Sequence, residues 1–243
     1  MGPSRKPRLL EAALKWYDNS VAKATSNRRQ GDEEVTRTSV ARMDGFDIPA
    51  KDKGLHKGVD QEWYGGYRKR LSGCGPSTAT NILRYYRDRL TLPVRAQTRE
   101  EAQDLMELVW DYVTPTLMGL NTTQRYVDGI DKLQAEKGWG LSCIRLDIPA
   151  RQEERPDAAQ VAGYIREGLA SDCPVAFLNL SRGSLENLDQ WHWVTLVALE
   201  EDGGQLWAEA VDNGRLLRLD LSLWLKTTTR GGGFVYCSKG DAS

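Results

Sequence analysis

Three observations predict an α+β fold. Apolar residues recur at helical intervals through most of the first two-thirds of the chain, short β-rich runs dominate from Leu141 onward, and sharp turn signals separate those runs as antiparallel strands require. The 243 residues are 40% hydrophobic, enough to bury a sizeable core. We read one main domain over 59–243, preceded by an N-terminal helix and extended arm over 1–58.

The elements follow in order. Leu9 to Lys23 carries Leu9, Leu10, Ala13, Leu14 and Tyr17 on one helical face. Ser26 to Gly58 is polar, with no apolar period, and reads as a long connection or an arm laid over another surface. Glycines and a proline in Ser72-Gly73-Cys74-Gly75-Pro76 then stand directly before a helix over Ser77 to Leu90, marked by Ala79, Ile82, Leu83, Tyr86 and Leu90. Pro76 suits the first helical turn, where a missing N–H costs nothing. Further helices are predicted over Thr98 to Tyr112, over Asn121 to Lys137, and after Pro156-Asp157 with Val161, Ile165 and Leu169 on one side. Strands are predicted over Leu141 to Ile148, Cys173 to Leu180, Trp191 to Glu200, Gln205 to Val211, Leu216 to Leu219 and Gly233 to Cys237. Asp202-Gly203-Gly204, Asp212-Asn213-Gly214 and Gly231-Gly232-Gly233 supply the turns.

Composition narrows the function. The 33 basic and 34 acidic residues nearly cancel, so nothing points to a nucleic-acid partner. No run of about 18 apolar residues offers a membrane span, and the N-terminus lacks the apolar core of a signal peptide, so cytoplasmic residence is expected. Cys74, Cys143, Cys173 and Cys237 are widely spread with no Cys-x-x-Cys pair, and there are only two histidines. That spacing argues against a zinc site, and we expect neither metal nor cofactor. Cys143 and Cys173 lie in apolar runs, where reduced, buried thiols and a reducing compartment are expected.

Cys74 has the most unusual surroundings. A sulfur at a helix N-terminus meets the positive end of the macrodipole and free backbone N–H groups, both of which favour thiolate over thiol. The plainer reading is a turn that happens to contain a small residue. A cysteine nucleophile needs a base, and His192, at one end of the apolar run Trp191 to Leu199, is better fixed than His56 in its charged loop. The alternative for His192 is a core residue satisfied by one hydrogen bond. One strand further on stands Asp212-Asn213-Gly214. An antiparallel return brings Asp212 or Asn213 beside His192, where either could orient the ring, although Asp-Asn-Gly is also a good hairpin turn.

Gly73-Cys74-Gly75-Pro76-Ser77-Thr78-Ala79-Thr80-Asn81-Ile82-Leu83, with His192-Trp193-Val194-Thr195-Leu196 and Asp212-Asn213-Gly214, resembles papain-like cysteine peptidases. The nearest group in motif is the bacterial peptidases that process double-glycine leaders, and the resemblance spans Trp63 to Cys237. It implies a papain-like fold with a cleft between a helical and a β lobe, Cys74 as nucleophile, His192 as general base, and Asp212 or Asn213 as the residue that orients it. Such enzymes place an oxyanion-binding glutamine shortly before the cysteine. Here Arg68 occupies that place, and Gln61 is the nearest glutamine upstream.

A cysteine hydrolase acting on a peptide or amide bond is therefore expected, with amidase and acyltransferase chemistry open to the same residues. The rival is a weak or inactive binding module for a peptide or protein partner on this fold. A third possibility makes the N-terminal arm an inhibitory or docking segment. Trp110, Trp207 and Trp224 read as core, Trp191 and Trp193 as the wall or floor of a cleft, and Arg84, Arg87 and Arg89 as a solvated helix face.

Overall fold

The computed structural model describes residues 25–30, 33–50, 54–88 and 97–239. The helix expected over Leu9 to Lys23 lies outside them, as does Arg89. Among the described residues, eight strands form one antiparallel sheet in the order β1-β2-β7-β6-β10-β5, with β8 on β7 and β9 on β8. These are β1 (Thr25–Gln30), β2 (Glu33–Ser39), β5 (Leu141–Ile148), β6 (Val175–Asn179), β7 (His192–Asp202), β8 (Gln205–Asp212), β9 (Arg215–Asp220) and β10 (Gly232–Lys239). A separate pair joins β3 (Asp47–Pro49) and β4 (Leu55–Lys57).

Six helices accompany the sheet among the described residues: α1 (Tyr67–Ser72), α2 (Cys74–Tyr85), α3 (Arg99–Trp110), α4 (Thr123–Lys137), α5 (Ala158–Ala170) and α6 (Leu221–Thr227). The fold is α+β. Local chemistry sets the helix limits. Thr98 and Glu101 close a capping box on α3, Asp157 and Gln160 another on α5, and Gly138 ends α4 in the left-handed conformation.

Strand β7 is the spine. It pairs with β6 through His192 to Leu196, with β2 through Ala198 to Glu201, and with β8 along its other edge. Helix α2 lies across it, burying Ala79, Ile82 and Leu83 against the sheet. Behind β6 and β10, Phe177 stacks on Phe234 at 4.8 Å and meets Trp224 edge-on at 4.7 Å. Tyr86, just past the end of α2, donates its hydroxyl to the Cys237 carbonyl at 2.8 Å and so fastens that helix end to β10.

Several expectations need correction. The stretch from Ser26 to Gly58 is not an irregular arm. It supplies β1 and β2, and Phe46 and Ile48 are fully buried in the core. Strand β2 has few apolar residues, but Val35, Thr36 and Thr38 are the β-branched types that a pleated surface accommodates. Arg84 and Arg87 are not a solvated face. Arg84 is fully buried and donates to the Phe46 and Asp47 carbonyls, while Arg87 donates to the Gly45 carbonyl at 2.7 Å. The 3-10 turn over Met43–Phe46 leaves the Gly45 and Phe46 carbonyls without helical partners; Arg87 takes the first, and the second accepts both Arg84 and the Gly58 N–H. Trp224 is core, whereas Trp110 and Trp207 are half-buried beneath Lys69 and Arg218.

Cys143 is not a free thiol. It stands opposite Cys237 in the β5–β10 ladder, and the two form a disulfide, in which Cys74 and Cys173 take no part. Thiol titration of the unreduced protein in denaturant is expected to find two reactive groups, rising to four after reduction. Replacing both Cys143 and Cys237 by serine should lower the unfolding free energy by about 2–4 kcal/mol, measured by chemical denaturation.

Candidate active site

Cys74 is the first residue of α2. Gly73 ends α1 and begins α2 at once. A β-carbon at Gly73 would lie 2.6 Å from the Lys69 carbonyl oxygen and 2.7 Å from the Tyr64 ring, so only glycine permits this close helix-to-helix corner. The corner leaves the sulfur half-buried at the positive end of α2, with the first-turn N–H groups lacking helical acceptors.

His192 begins β7 and Asp212 ends β8. Thr195 pairs with Val211, so Asp212 comes diagonally into reach of the imidazole. His192 Nε2 and Asp212 Oδ1 are 2.8 Å apart, and a carboxylate can only accept, so Nε2–H donates. Nδ1 is left to face Cys74, whose sulfur favours the charged ring. Burial pushes the imidazole pKa down, but the Asp212 hydrogen bond and the Cys74 sulfur outweigh it and raise the pKa to about 10.

Asn213 takes a different place from the one expected of an orienting residue. Its side-chain oxygen accepts the Gln61 N–H at 3.2 Å, and Asp212 alone holds the histidine. Gln61 opens a 3-10 turn (Gln61–Trp63), and its side-chain oxygen is buried without a donor. The preceding segment is pinned from α2. Asn81, two turns along from Cys74, accepts the Val59 N–H at 2.8 Å and donates to Thr195 on β7. Gly58 fits there because its φ is +76° and a β-carbon would strike Val211 and Asn81. Val59, Asn81, Asp212 and Asn213 thus line one narrow crevice with Cys74. His56, expected in a loose loop, lies in β4 with its ring edge-on to Trp63.

On its other side Cys74 opens into a cleft of about 520 Å³ walled by Arg68, Leu71, Leu117, Met118 and Trp191. Arg68 is an exposed residue of α1. Leu117 and Met118 are 92% and 66% exposed at the tip of a turn that Thr116 and Gly119 close with two backbone hydrogen bonds. Sequence reasoning missed this wall, although two apolar residues bracketed by Pro115 and Gly119 were a visible oddity. Trp191, expected to open the strand and to wall or floor a cleft, precedes β7 with a φ of +56° and lines the cleft, and its carbonyl oxygen lies 3.9 Å from the Cys74 sulfur. Trp193 lines the narrow crevice, stacked on Tyr126 at 4.7 Å and donating to the Leu120 carbonyl at 2.6 Å.

The arrangement can hold a sulfur anion beside an imidazolium at the edge of an apolar cleft. Among the described residues no cluster of three His, Cys, Asp or Glu side chains is placed to hold a metal ion, and no helix is long and apolar enough to cross a membrane.

With only two histidines, NMR can follow His192 directly. It is expected to titrate near pH 10 in the folded protein and at a lower pH in Asp212→Asn. The pKa is raised on folding from 6.5, so this group's contribution to stability is complete below about pH 6.5 and is lost as the pH climbs through about 10. Unfolding free energies across that window should show the decline, and His192→Gln should remove it. Neither a protein-family model nor a curated protein sequence matches this chain, which leaves the geometry of the site as the ground for a functional reading.

Proposed function

We propose that the protein is a cysteine hydrolase that cleaves a peptide or related amide bond on a papain-like scaffold. The observation that carries this reading is the position of His192, bonded through Nε2 to Asp212 and close enough to Cys74 for the sulfur to favour the charged ring. A structural histidine needs one partner. A ring held between a carboxylate and a helix-start sulfur is the arrangement that nucleophilic thiol chemistry requires.

The Cys74 thiolate attacks the substrate carbonyl, forming a C–S bond and moving the π electrons onto oxygen. The Cys74 backbone N–H stabilises that oxyanion, with the Gln61 amide as its second donor. As the intermediate collapses, the C–N bond breaks and the His192 imidazolium gives its proton to the departing amine. Water then adds to the thioester, His192 takes its proton, and the C–S bond breaks to release a carboxylic acid. An acyltransferase or amidase would use the same residues. Leu71, Leu117, Met118 and Trp191 favour a substrate with a bulky apolar side chain near the scissile bond.

The second reading is a peptide-binding module without turnover. It is favoured by Arg68, an exposed cation on the cleft wall where papain-like enzymes place a glutamine.

Alkylation separates the two. Iodoacetamide near pH 6 is expected to modify Cys74 well ahead of buried Cys173, as read by peptide mass spectrometry. His192→Ala should slow that labelling by roughly 10²-fold, the lower end of what a positioned acid–base group contributes. Equal, slow labelling of both free thiols would exclude the ion pair and leave the binding module.

A further inference from the structure

The turn joining β8 to β9 does two jobs with adjacent residues. Asp212 pairs with Arg215, so Asn213 and Gly214 form a two-residue hairpin loop, with φ of +42° and +80°. Positive φ at both positions is the primed turn that suits twisted hairpins. That explains glycine at 214 and allows asparagine, aspartate or glycine at 213. It does not explain why the Asn213 side chain reaches across 152 residues of sequence to accept the Gln61 N–H at 3.2 Å.

The surroundings give that bond a purpose. The same turn is stitched to the Gln61 segment a second time, where the Lys57 N–H donates to the Gly214 carbonyl at 2.9 Å. Val59 is held from the other side by Asn81. Two residues past Val59, Gln61 starts its 3-10 turn, and Asn213 secures the backbone N–H of Gln61 itself. Asp212 is the preceding residue and carries the base. One tight turn therefore sets the spacing between His192 and Gln61.

We propose that Asn213 is a positioning residue that holds Gln61 as an oxyanion donor and leaves the orientation of His192 to Asp212. This rests on the reading of Cys74 as a nucleophile that forms an acyl-enzyme. Alkylation by iodoacetamide displaces iodide at a saturated carbon and generates no oxyanion, whereas acylation by an ester does. The two reactions of the same sulfur therefore report the ion pair and the oxyanion site separately.

The experiment measures both rates on the full chain, with iodoacetamide and with N-acetyl-leucine p-nitrophenyl ester as probes. Asn213→Gly keeps the turn conformation and removes the acceptor, and Asn213→Asp keeps an acceptor. Asn213→Gly is expected to slow acylation roughly 10-fold, since complete loss of an oxyanion donor costs about 10²–10³. Its alkylation rate should stay within about twofold of wild type. Asn213→Asp should restore most of the acylation rate. Gln61→Ala should be slow, and adding Asn213→Gly to it should cost nothing more, because the two act through one donor. Wild-type acylation in Asn213→Gly, an equal fall in alkylation, or independent losses in the double variant would each overturn the assignment. If wild-type Cys74 alkylates selectively but does not acylate, the positioning role fails while the ion pair stands. Unselective alkylation sinks both.

Discussion

The hydrogen bond from His192 to Asp212 is the constraint on which the site depends. It fixes the imidazole plane, commits Nε2 as a donor and turns the other nitrogen toward Cys74. It exists only because β7 and β8 pair in a register that brings the end of one strand to the start of the other. A slip by one residue would send Asp212 to the opposite face of the sheet and leave a buried imidazole with no carboxylate. The strands around β7 hold that register, which is why β2, drawn from the N-terminal part of the chain, belongs to the same body as the site.

The helix contributes in a complementary way. Its first residue carries the sulfur, its eighth, Asn81, clamps the segment leading to Gln61, and its eleventh, Arg84, donates to the Phe46 and Asp47 carbonyls where the turn enters β3. Residues on successive turns of one helix thus place the sulfur and organise the neighbouring backbone. Position 73 tolerates no side chain for the same reason: two helices must change direction within one residue so that the second begins at the cysteine.

Much of this could be read from sequence because its signals are local. Glycine and proline before a helical period marked Cys74, an apolar run marked the strand behind His192, and Asp-Asn-Gly marked the return to Asp212. What could not be read depends on partners distant in the chain. Asp212 and Asn213 were equivalent on paper, because which side chain faces the histidine is decided by register and turn type. The Cys143–Cys237 link joins strands 94 residues apart in a pairing order that no local pattern encodes. Arg84 looked like a surface residue because its acceptors are backbone carbonyls, invisible in residue chemistry. The polar strand β2 and the short helices α1 and α6 have too few apolar residues, or too few turns, to display a period.

The attachment of Tyr86 to β10 gives α2 the properties of a lever. A helix of 12 residues is about 18 Å long, at about 1.5 Å per residue. With its far end fastened at Cys237, a tilt of about 5° would carry the sulfur roughly 1.5 Å across the sheet, a large displacement relative to its contacts with the neighbouring strand. The contacts near Cys74 therefore act with the full length of the helix as mechanical advantage. The grip at the distant end supplies the fulcrum, so the aim of the sulfur is set as much by the far side of the sheet as by the residues that touch it.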